Sequence, residues 1–436
     1  MRSHRGEVNR VWGIVAVTSQ ESRLKYSGLL FSLRIMKSLR KIVFWLHLGT
    51  GLGAALVVVI MSATGVLLTY QKQVTAWADR RAVNAAPPTI NTRQLGADEL
   101  IARVTKTANA TPTSLTLRSR LDAPAEVQFG RDRRALVNAY SGQLLGEGST
   151  TTRAFFRSVT AWHRTLAATG DSRAVGKAVT GAANLGFLFL VASGLYLWFP
   201  RNWTRVAFRN VTWFRRRLSG KARDFNWHNV IGFWSAVPLI VVVASGVVIS
   251  YQWGGNLVYR MVGERPPVAT APPPASRGER DGGNAREVDR VAVVPTGLDA
   301  IISAAAARAP DWTTLTLTLP SASAATVTVS IDRGTGGQPQ RRSQLVLDHA
   351  TAREVRYEEF ASQSRGRRLR SILRFAHTGE VLGIAGQTIA GLASLGSVVL
   401  AITGIMLAIR RAISWRRRRA WRRQDVDATS DIEIAA

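Results

Sequence analysis

Four histidines occupy repeated positions in this sequence, and their residue type and spacing make them the best candidates for chemistry. His47 and His228 lie near the start of long apolar runs, and His163 and His377 lie just before two others. One histidine at such a place is more often a polar residue that faces lipid headgroups. Four at matching places indicate a task, because ionisable residues at membrane depth are costly. Neutral imidazole binds iron, copper or zinc.

The elements that must position these histidines are four apolar runs, each long enough to cross a hydrocarbon core of about 20 helical residues. None of the runs contains Asp, Glu, Lys or Arg, and they are residues 42–70, 180–199, 227–251 and 384–409. The first run is too long for a cleaved signal peptide and lacks a clear small-residue cleavage site. The sequence therefore predicts a multi-pass membrane protein with four transmembrane helices.

Basic residues predict the orientation of these helices. The formal net charge is +30, which in a soluble domain would suggest nucleic acid. Here basic residues cluster before the first run (Lys37, Arg40 and Lys41), between the second and third, and after the fourth. Such clusters mark the cytoplasmic side and attract anionic membrane lipid, so no nucleic-acid partner is expected. Both termini are predicted in the cytoplasm and both long loops in the periplasm of a bacterial inner membrane.

An internal repeat relates the two halves of the chain. Each of the four runs contains a Ser/Thr-Gly pair, ending at Gly65, Gly194, Gly246 and Gly404. His47 precedes Gly65 by 18 residues, and His228 precedes Gly246 by the same spacing. That spacing is five helical turns, so each histidine and its glycine share a helix face about 27 Å apart. The small residues indicate close helix packing, or a gap that admits a flat cofactor, and both can hold.

The histidines then form two levels, with one histidine from each half at each level. Copper and zinc sites tend to use several nearby His, Cys or carboxylate ligands, whereas only two imidazoles are available per level. The chain has no cysteine, which excludes thiolate metal sites, cysteine-ligated iron–sulfur clusters and covalently attached c-type haem. Two opposed imidazoles in apolar surroundings suit b-type haem. We predict two bis-histidine haems, one on His47 and His228 and one on His163 and His377, flanked by the four glycines.

The two long loops repeat as well. The pattern of each loop predicts a helix followed by alternating strand segments. In the first loop the helix is 95–104 and the strands are 114–117, 125–129 and 135–138. In the second loop the helix is 297–309 and the strands are 314–319, 325–331 and 344–347. The expected fold is therefore mainly α and membrane-embedded, a four-helix bundle of two repeated halves with two small α+β periplasmic modules. His349 lies at the turn after the last strand, where solvent contact explains it.

The sequence resembles the PepSY-associated transmembrane family of iron-regulated membrane proteins, which includes inner-membrane ferric-siderophore reductases. The resemblance covers about 36–415 and is carried by Trp45-Leu-His47-Leu-Gly-Thr-Gly51, Trp162-His163-Arg164, Gly194-Leu-Tyr-Leu-Trp198-Phe-Pro200-Arg201, Trp227-His228-Asn229, Ala376-His377-Thr-Gly379 and the turn Val137-Asn-Ala-Tyr140-Ser-Gly142-Gln-Leu. The second module departs from this turn, with Ala352 in the place of Gly142. The resemblance implies b-haem ligation by the four histidines and electron transfer to a ferric chelate outside the membrane.

Reduction of a ferric chelate needs an electron source that this sequence does not supply. No glycine-rich dinucleotide fingerprint follows a strand, and no flavin domain is apparent. A quinol or a separate reductase is therefore the expected donor. Two other classes remain open: a membrane-anchored accessory or sensor protein, which would not need the histidine repeat, and a transporter of repeated halves, for which Pro238 offers a possible kink.

These observations divide the chain into ten segments. Residues 1–35, which contain His4, form a possible non-native or disordered extension, and Met36 is the expected natural start. The other segments alternate between membrane, periplasm and cytoplasm: 36–71 first span, 72–160 first module, 161–200 interfacial segment and second span, 201–226 basic link, 227–252 third span, 253–290 Pro/Gly-rich linker, 291–365 second module, 366–410 interfacial segment and fourth span, and 411–436 basic tail.

Overall fold

The computed structural model describes residues 38–83, 92–130, 133–199, 204–267, 296–320 and 324–435. Within these ranges, four helices are long and apolar enough to cross a membrane: α1 Ser38–Leu68, α5 Ser172–Trp198, α7 Gly220–Ser250 and the span Glu380–Trp421, which contains the start of α11 Gly383–Ala435. They coincide with the four predicted runs. Residues 1–35, Met36 and most of the predicted linker lie outside the described ranges.

The remaining elements are short helices and strands between these spans. The helices are α2 Gln71–Ala82, α3 Ala97–Ala108, α4 Thr150–Thr165, α6 Arg205–Thr212, α8 Gln252–Met261, α9 Leu298–Arg308 and α10 Arg365–His377. The strands are β1 Ser114–Arg118, β2 Ala125–Phe129, β3 Arg133–Val137, β4 Leu144–Gly146, β5 Thr314–Thr318, β6 Thr326–Asp332, β7 Arg342–Asp348 and β8 Glu354–Glu359. Each half thus runs as a span, two short helices, four strands, another helix and a second span.

The two predicted modules share a single sheet. All eight strands form one antiparallel sheet in the order β4-β3-β2-β1-β5-β6-β7-β8. At its centre Leu115 pairs with Leu317 and Thr116 pairs with Thr316, and the two threonine hydroxyls lie 3.1 Å apart. The repeat is therefore symmetric about the β1–β5 junction. The sequence predicts two separate modules because strand pairing between distant segments leaves no local signal.

One core and one pair of helix caps also join the halves. Alternating apolar residues of the strands pack with α3 and α9 in a single buried cluster, which includes Leu115, Leu317 and Ile301. Asp98 accepts hydrogen bonds from the backbone N–H groups of Leu298 (3.0 Å) and Asp299 (3.1 Å). Asp299 in turn accepts from the N–H of Ala97. Each helix N-terminus is thus capped by a carboxylate of the other half, which satisfies otherwise unpaired donors.

The last strand of each half was not predicted. Both β4 and β8 lie at the edges of the sheet, and their burial patterns show no buried residue. A strand that buries no side chain lacks the alternation on which the prediction rested. The substituted turn of the second half keeps its shape: Ala352 adopts φ 53°, close to φ 74° at Gly142. A non-glycine residue in this left-handed region is strained, so the surrounding fold imposes the turn.

The chain divides into two compact units, and it passes between them inside each of the four spanning helices. The first unit comprises residues up to 56, 186–236 and from 399 onward. Within this unit each spanning helix contacts two others. Helix α5 contacts α1 through Gly186 and Thr50, and it contacts α7 through Trp198, which stacks on Phe233 at 4.6 Å. Helix α11 contacts α7 through Arg410 and Asp224 (3.1 Å), and it contacts α1 through Arg411, which lies over the ring of Trp45.

The second unit comprises residues 57–185 and 237–398, and it contains the sheet and the remaining part of each span. Helix α2 ties these parts together. Its buried Asp79 binds Arg153 of α4 and Arg134 of β3 (3.3 Å). Its Lys72 binds Glu380 at 2.8 Å and donates to the carbonyl of Gly336, in the β6–β7 connection, at 3.1 Å. The helices that carry His163 and His377 are therefore anchored to the sheet.

Candidate functional site

The four predicted histidines come together as two pairs. His163 of α4 and His377 of α10 face each other in the second unit, with ring centroids 6.3 Å apart and ring planes inclined by 59°. His47 of α1 and His228 of α7 lie close to each other in the first unit. Each pair takes one histidine from each half of the chain, so neither half alone can form a pair.

The helices that carry the second pair end at His377 and two residues after His163. His377 is the last residue of α10, and the turn to α11 requires Gly379, which has φ 73° and packs against the backbone of Gly386. The corresponding turn after α4 is held by Thr180, whose hydroxyl donates to the carbonyl of Arg164 at 3.0 Å. Both rings are thereby fixed relative to the following span.

Each histidine has its Nδ1 atom at a hydrogen-bond acceptor on a neighbouring span. Three of the acceptors are Ser or Thr hydroxyls, and for His377 a backbone carbonyl lies closest. The pairs are His47 with Ser193 (2.8 Å), His228 with Thr403 (3.0 Å), His163 with Thr64 (2.9 Å), and His377 with the carbonyl of Val242 (2.8 Å) and the hydroxyl of Ser245 (3.4 Å).

The same network assigns the tautomer of the rings. A hydroxyl has a single proton to donate, and each of these hydroxyls lies close to the carbonyl four residues earlier in its helix. Ser193 lies 2.6 Å from the Phe189 oxygen, Thr64 lies 2.6 Å from the Ile60 oxygen and Thr403 lies 2.8 Å from the Val399 oxygen. The hydroxyls therefore accept from Nδ1–H, as the Val242 carbonyl does. The Nε2 lone pair of each ring remains free to bind a metal ion.

Glycines make room for three of the four rings. A Cβ atom at Gly194 would lie 3.3 Å from Cε1 of His47, at Gly404 3.5 Å from Cε1 of His228, and at Gly65 3.6 Å from Cε1 of His163. Gly246 is different. Its nearest neighbours are the side-chain amide atoms of Asn184, which is buried and donates to the carbonyl of Val243 at 3.1 Å. Three of the predicted glycines thus lie beside a histidine, and the fourth lies beside an amide.

The charge state of the second pair suits metal ligation. Burial lowers the pKa of His163 to about 4, with smaller contributions from His377 and Arg164. Burial also lowers the pKa of His377. A pKa below the usual value leaves the imidazole neutral at physiological pH, and the neutral form is the one that ligates.

The donor set fits a cofactor that brings its own equatorial ligands. No group of three or more His, Cys, Asp or Glu residues that could hold a metal ion occurs in the described ranges. A ring centroid lies about 1.1 Å from a ring nitrogen and a metal–imidazole bond is about 2 Å, so two imidazoles on opposite sides of one ion have centroids roughly 6 Å apart. The 6.3 Å separation of His163 and His377 matches this value.

The four histidines could be predicted from the sequence, whereas the hydroxyls that orient them were not. The Ser/Thr-Gly pairs were interpreted as close helix packing or as a gap for a flat cofactor, and the hydroxyl residue that precedes the glycine in all four spans was given no role. That repeated hydroxyl was the available signal. Asn184 has no counterpart in the repeat, so the sequence gave no signal for its role. Of the other histidines, His349 lies at a turn with Nδ1 3.3 Å from the carbonyl of Ala324, and His4 lies outside the described ranges.

Comparison with known proteins places these features in a family. The model of the family described as the PepSY-associated TM region matches residues 44–424. The match includes all four spans, the sheet and both histidine pairs. No curated protein matches the chain significantly.

Proposed function

The chain belongs to the PepSY-associated TM family, and we propose that it is a b-type haem protein of the bacterial inner membrane that moves electrons from the cytoplasmic side to the periplasm. Its proposed substrate is a ferric siderophore or another ferric chelate used in iron uptake. The observation that carries the proposal is the pairing of four histidines whose Nδ1 atoms are hydrogen-bonded and whose Nε2 lone pairs are free.

The residues of each pair have distinct parts in this proposal. His47 and His228 would hold one haem, and His163 and His377 would hold a second. A b-type haem supplies a one-electron carrier. The surrounding chain orients the imidazoles through their Nδ1–H groups, which also makes the ligating nitrogen more basic. The apolar spans exclude water, and burial and second-shell hydrogen bonds are the means by which a protein adjusts such a centre.

The proposed orientation follows from charge. The link between α5 and α7 and the C-terminal part of α11 are rich in arginine, as expected for the cytoplasmic side. The sheet then lies in the periplasm, in the same unit as His163 and His377. A ferric chelate would take its electron on that side. Hard oxygen ligands hold Fe(II) less firmly than Fe(III), so reduction releases the metal. The electron would come from a quinol or from a separate reductase.

The test is a visible spectrum of the detergent-purified protein from cells supplied with haem, oxidised and then reduced with dithionite, with a haem-to-protein ratio. We expect a sharp reduced α band of low-spin haem and about two haems per chain, because each imidazole pair can bind one iron. Reoxidation of the reduced protein by a ferric chelate then tests the activity. A ratio of one haem per chain would show that only one of the two proposed sites binds haem. Absence of haem would contradict the proposal and favour an accessory or sensor protein.

Replacement of Thr403 by valine tests the role of the hydroxyls. Valine keeps the shape of the side chain and removes the acceptor of the His228 Nδ1–H group. We expect retention of the haem at His47 and His228 to fall by roughly 10- to 100-fold, the usual effect of losing a second-shell partner of a metal ligand. The measurement is the rate of haem transfer to excess apomyoglobin.

The matched control for this variant is Thr403→Ser, which restores a hydroxyl at the same position and should restore retention. Both variants leave the His163–Thr64 hydrogen bond in place, so the second haem serves as an internal reference. Equal haem loss from Thr403→Val and Thr403→Ser would show that the hydroxyl has no such role.

A further inference from the structure

The helices around the second histidine pair carry a strong positive charge. Helices α4, α5, α8 and α10 contain no Asp or Glu. Their cations are Arg153, Arg157, Arg164, Arg173, Lys177, Arg260, Arg365, Arg367, Arg368, Arg370 and Arg374. All of them lie in the second unit, in the same elements that position His163 and His377 or next to them.

Most of these cations lack an ionic partner. Arg153 forms an ion pair with Asp79, and Arg365 interacts electrostatically with Glu264. In the described part of the chain, the others form no ion pair. Eight of these are exposed. We call five of the eight, Arg157, Arg164, Arg260, Arg370 and Arg374, the arginine surface. Like charges on neighbouring helix turns repel, so these arginines lower the stability of the protein when no anion is bound to them.

The arginine surface is continuous with the histidines. Arg370, Arg374 and His377 are spaced by four and three residues on α10, which places them on one helix face. The guanidinium of Arg370 lies over Gly255 of α8, where a Cβ would be 3.7 Å from its Nε atom. Arg164 follows His163 directly, and its charge contributes to the lowered pKa of that ring. A negatively charged molecule on this surface would therefore be close to the second pair.

The positive-inside rule does not explain the arginines of the arginine surface. Arginines that set orientation stand on the cytoplasmic side, and the link and tail already supply them. The arginine surface belongs to the segments on the opposite side in the proposed orientation. Cations retained there, unpaired and against the positive-inside tendency, are best explained by an anionic ligand.

We propose that the arginine surface selects ferric chelates with net negative charge, in which carboxylate or catecholate oxygens bind the metal, over neutral or cationic chelates. This inference rests on the proposed function and names its substrate class. The guanidinium groups attract the anion and offer paired N–H donors to its oxygens. In the reaction the Fe(III) of the chelate gains one electron and the reduced protein loses one. Haem propionates and anionic lipid headgroups present the same oxygen chemistry, so the experiment must separate them.

The experiment measures reoxidation of the dithionite-reduced protein by stopped-flow absorbance, in nanodiscs of neutral phosphatidylcholine. The probes are ferric citrate, which is anionic, and a neutral ferric trihydroxamate. We expect ferric citrate to react faster, and added salt to slow that reaction only. The double variant Arg370→Gln/Arg374→Gln should lower the rate with ferric citrate by roughly tenfold, which is within the range of electrostatic steering. The rate with the neutral chelate should not change.

The matched control is Arg417→Gln, which removes an exposed arginine from the C-terminal part of α11 and should leave both rates unchanged. Equal rates for both chelates, with no salt dependence, would overturn this inference while the proposed function stands. Haem loss from the double variant would assign the arginines to propionates, and an effect seen only in nanodiscs with anionic lipid would assign them to headgroups. Either outcome overturns the inference. No reoxidation by any chelate would defeat the proposed function itself.

Discussion

Replacement of His228 by alanine is expected to remove one of the two proposed haems, and replacement of His47 is expected to remove the same one. His47 and His228 lie in the same unit and would hold one haem together, and a bis-histidine haem would need both imidazoles to be retained in its low-spin form. His163→Ala and His377→Ala should remove the other haem. The measurement is the haem-to-protein ratio, falling from about two to about one, with the reduced α band and the low-spin signals in electron paramagnetic resonance.

The control for this series is His349→Ala, because His349 lies at a sheet turn, where its Nδ1 atom is 3.3 Å from the carbonyl oxygen of Ala324. It should keep both haems. The double variant His47→Ala/His228→Ala should retain one haem, whereas His47→Ala/His163→Ala should retain none. If the two double variants gave the opposite results, the pairing described above would be wrong, although the four histidines could still be ligands.

Replacement of Gly194 by leucine is expected to disrupt the proposed haem site at His47 and His228 and to spare the proposed site at His163 and His377. A Cβ atom at this position already lies 3.3 Å from Cε1 of His47, which is tighter than ordinary contact. The rest of a leucine side chain must displace the ring or the helix, at a cost of about 1–3 kcal/mol for an overpacked site. The ring would then lose its hydrogen bond to Ser193. We expect a changed or missing α band for one haem in the reduced-minus-oxidised spectrum.

Gly186→Leu is the matched control for Gly194→Leu. Gly186 lies on the same helix, and its Cβ position contacts Thr50 at 3.3 Å and Ala54 at 3.9 Å, with no histidine nearby. Both variants therefore crowd the α1–α5 contact, and both should lower the thermal stability. Only Gly194→Leu should alter the spectrum. A spectrum that Gly194→Leu leaves unchanged would show that the glycine serves helix packing alone.

The repeat explains why the site needs the whole chain. Each half carries one histidine for each pair, and the sheet and the caps are also completed across the halves, through Thr116 with Thr316 and Asp98 with Asp299. A half on its own would leave a β1 or β5 edge unpaired and an imidazole without its partner. Unpaired strand edges promote association with other chains, so we regard the strands of the two halves as one folding unit.

The tertiary structure added three features that no local pattern could reveal. The first is the joint sheet, since antiparallel pairing of β1 with β5 connects residues about 200 positions apart. The second is the pair of edge strands, because β4 and β8 bury no side chain. The third is the environment of Gly246, which faces Asn184 although its repeat partner Gly65 faces His163. In each case the deciding contact comes from a distant part of the sequence.

The sequence by itself determined the four membrane spans, the repeat, most of the strands and the identity of the four histidines. These follow from local physical rules: apolar length for a span, period-two alternation for a half-buried strand, and the cost of an ionisable group near lipid. Only the tertiary structure decided which atoms of the histidines are free. Nδ1 is directed to Ser193, Thr403, Thr64 and the Val242 carbonyl by packing between helices. Such hydrogen bonds depend on the distance and rotation of two separate helices, and no spacing along one helix encodes them.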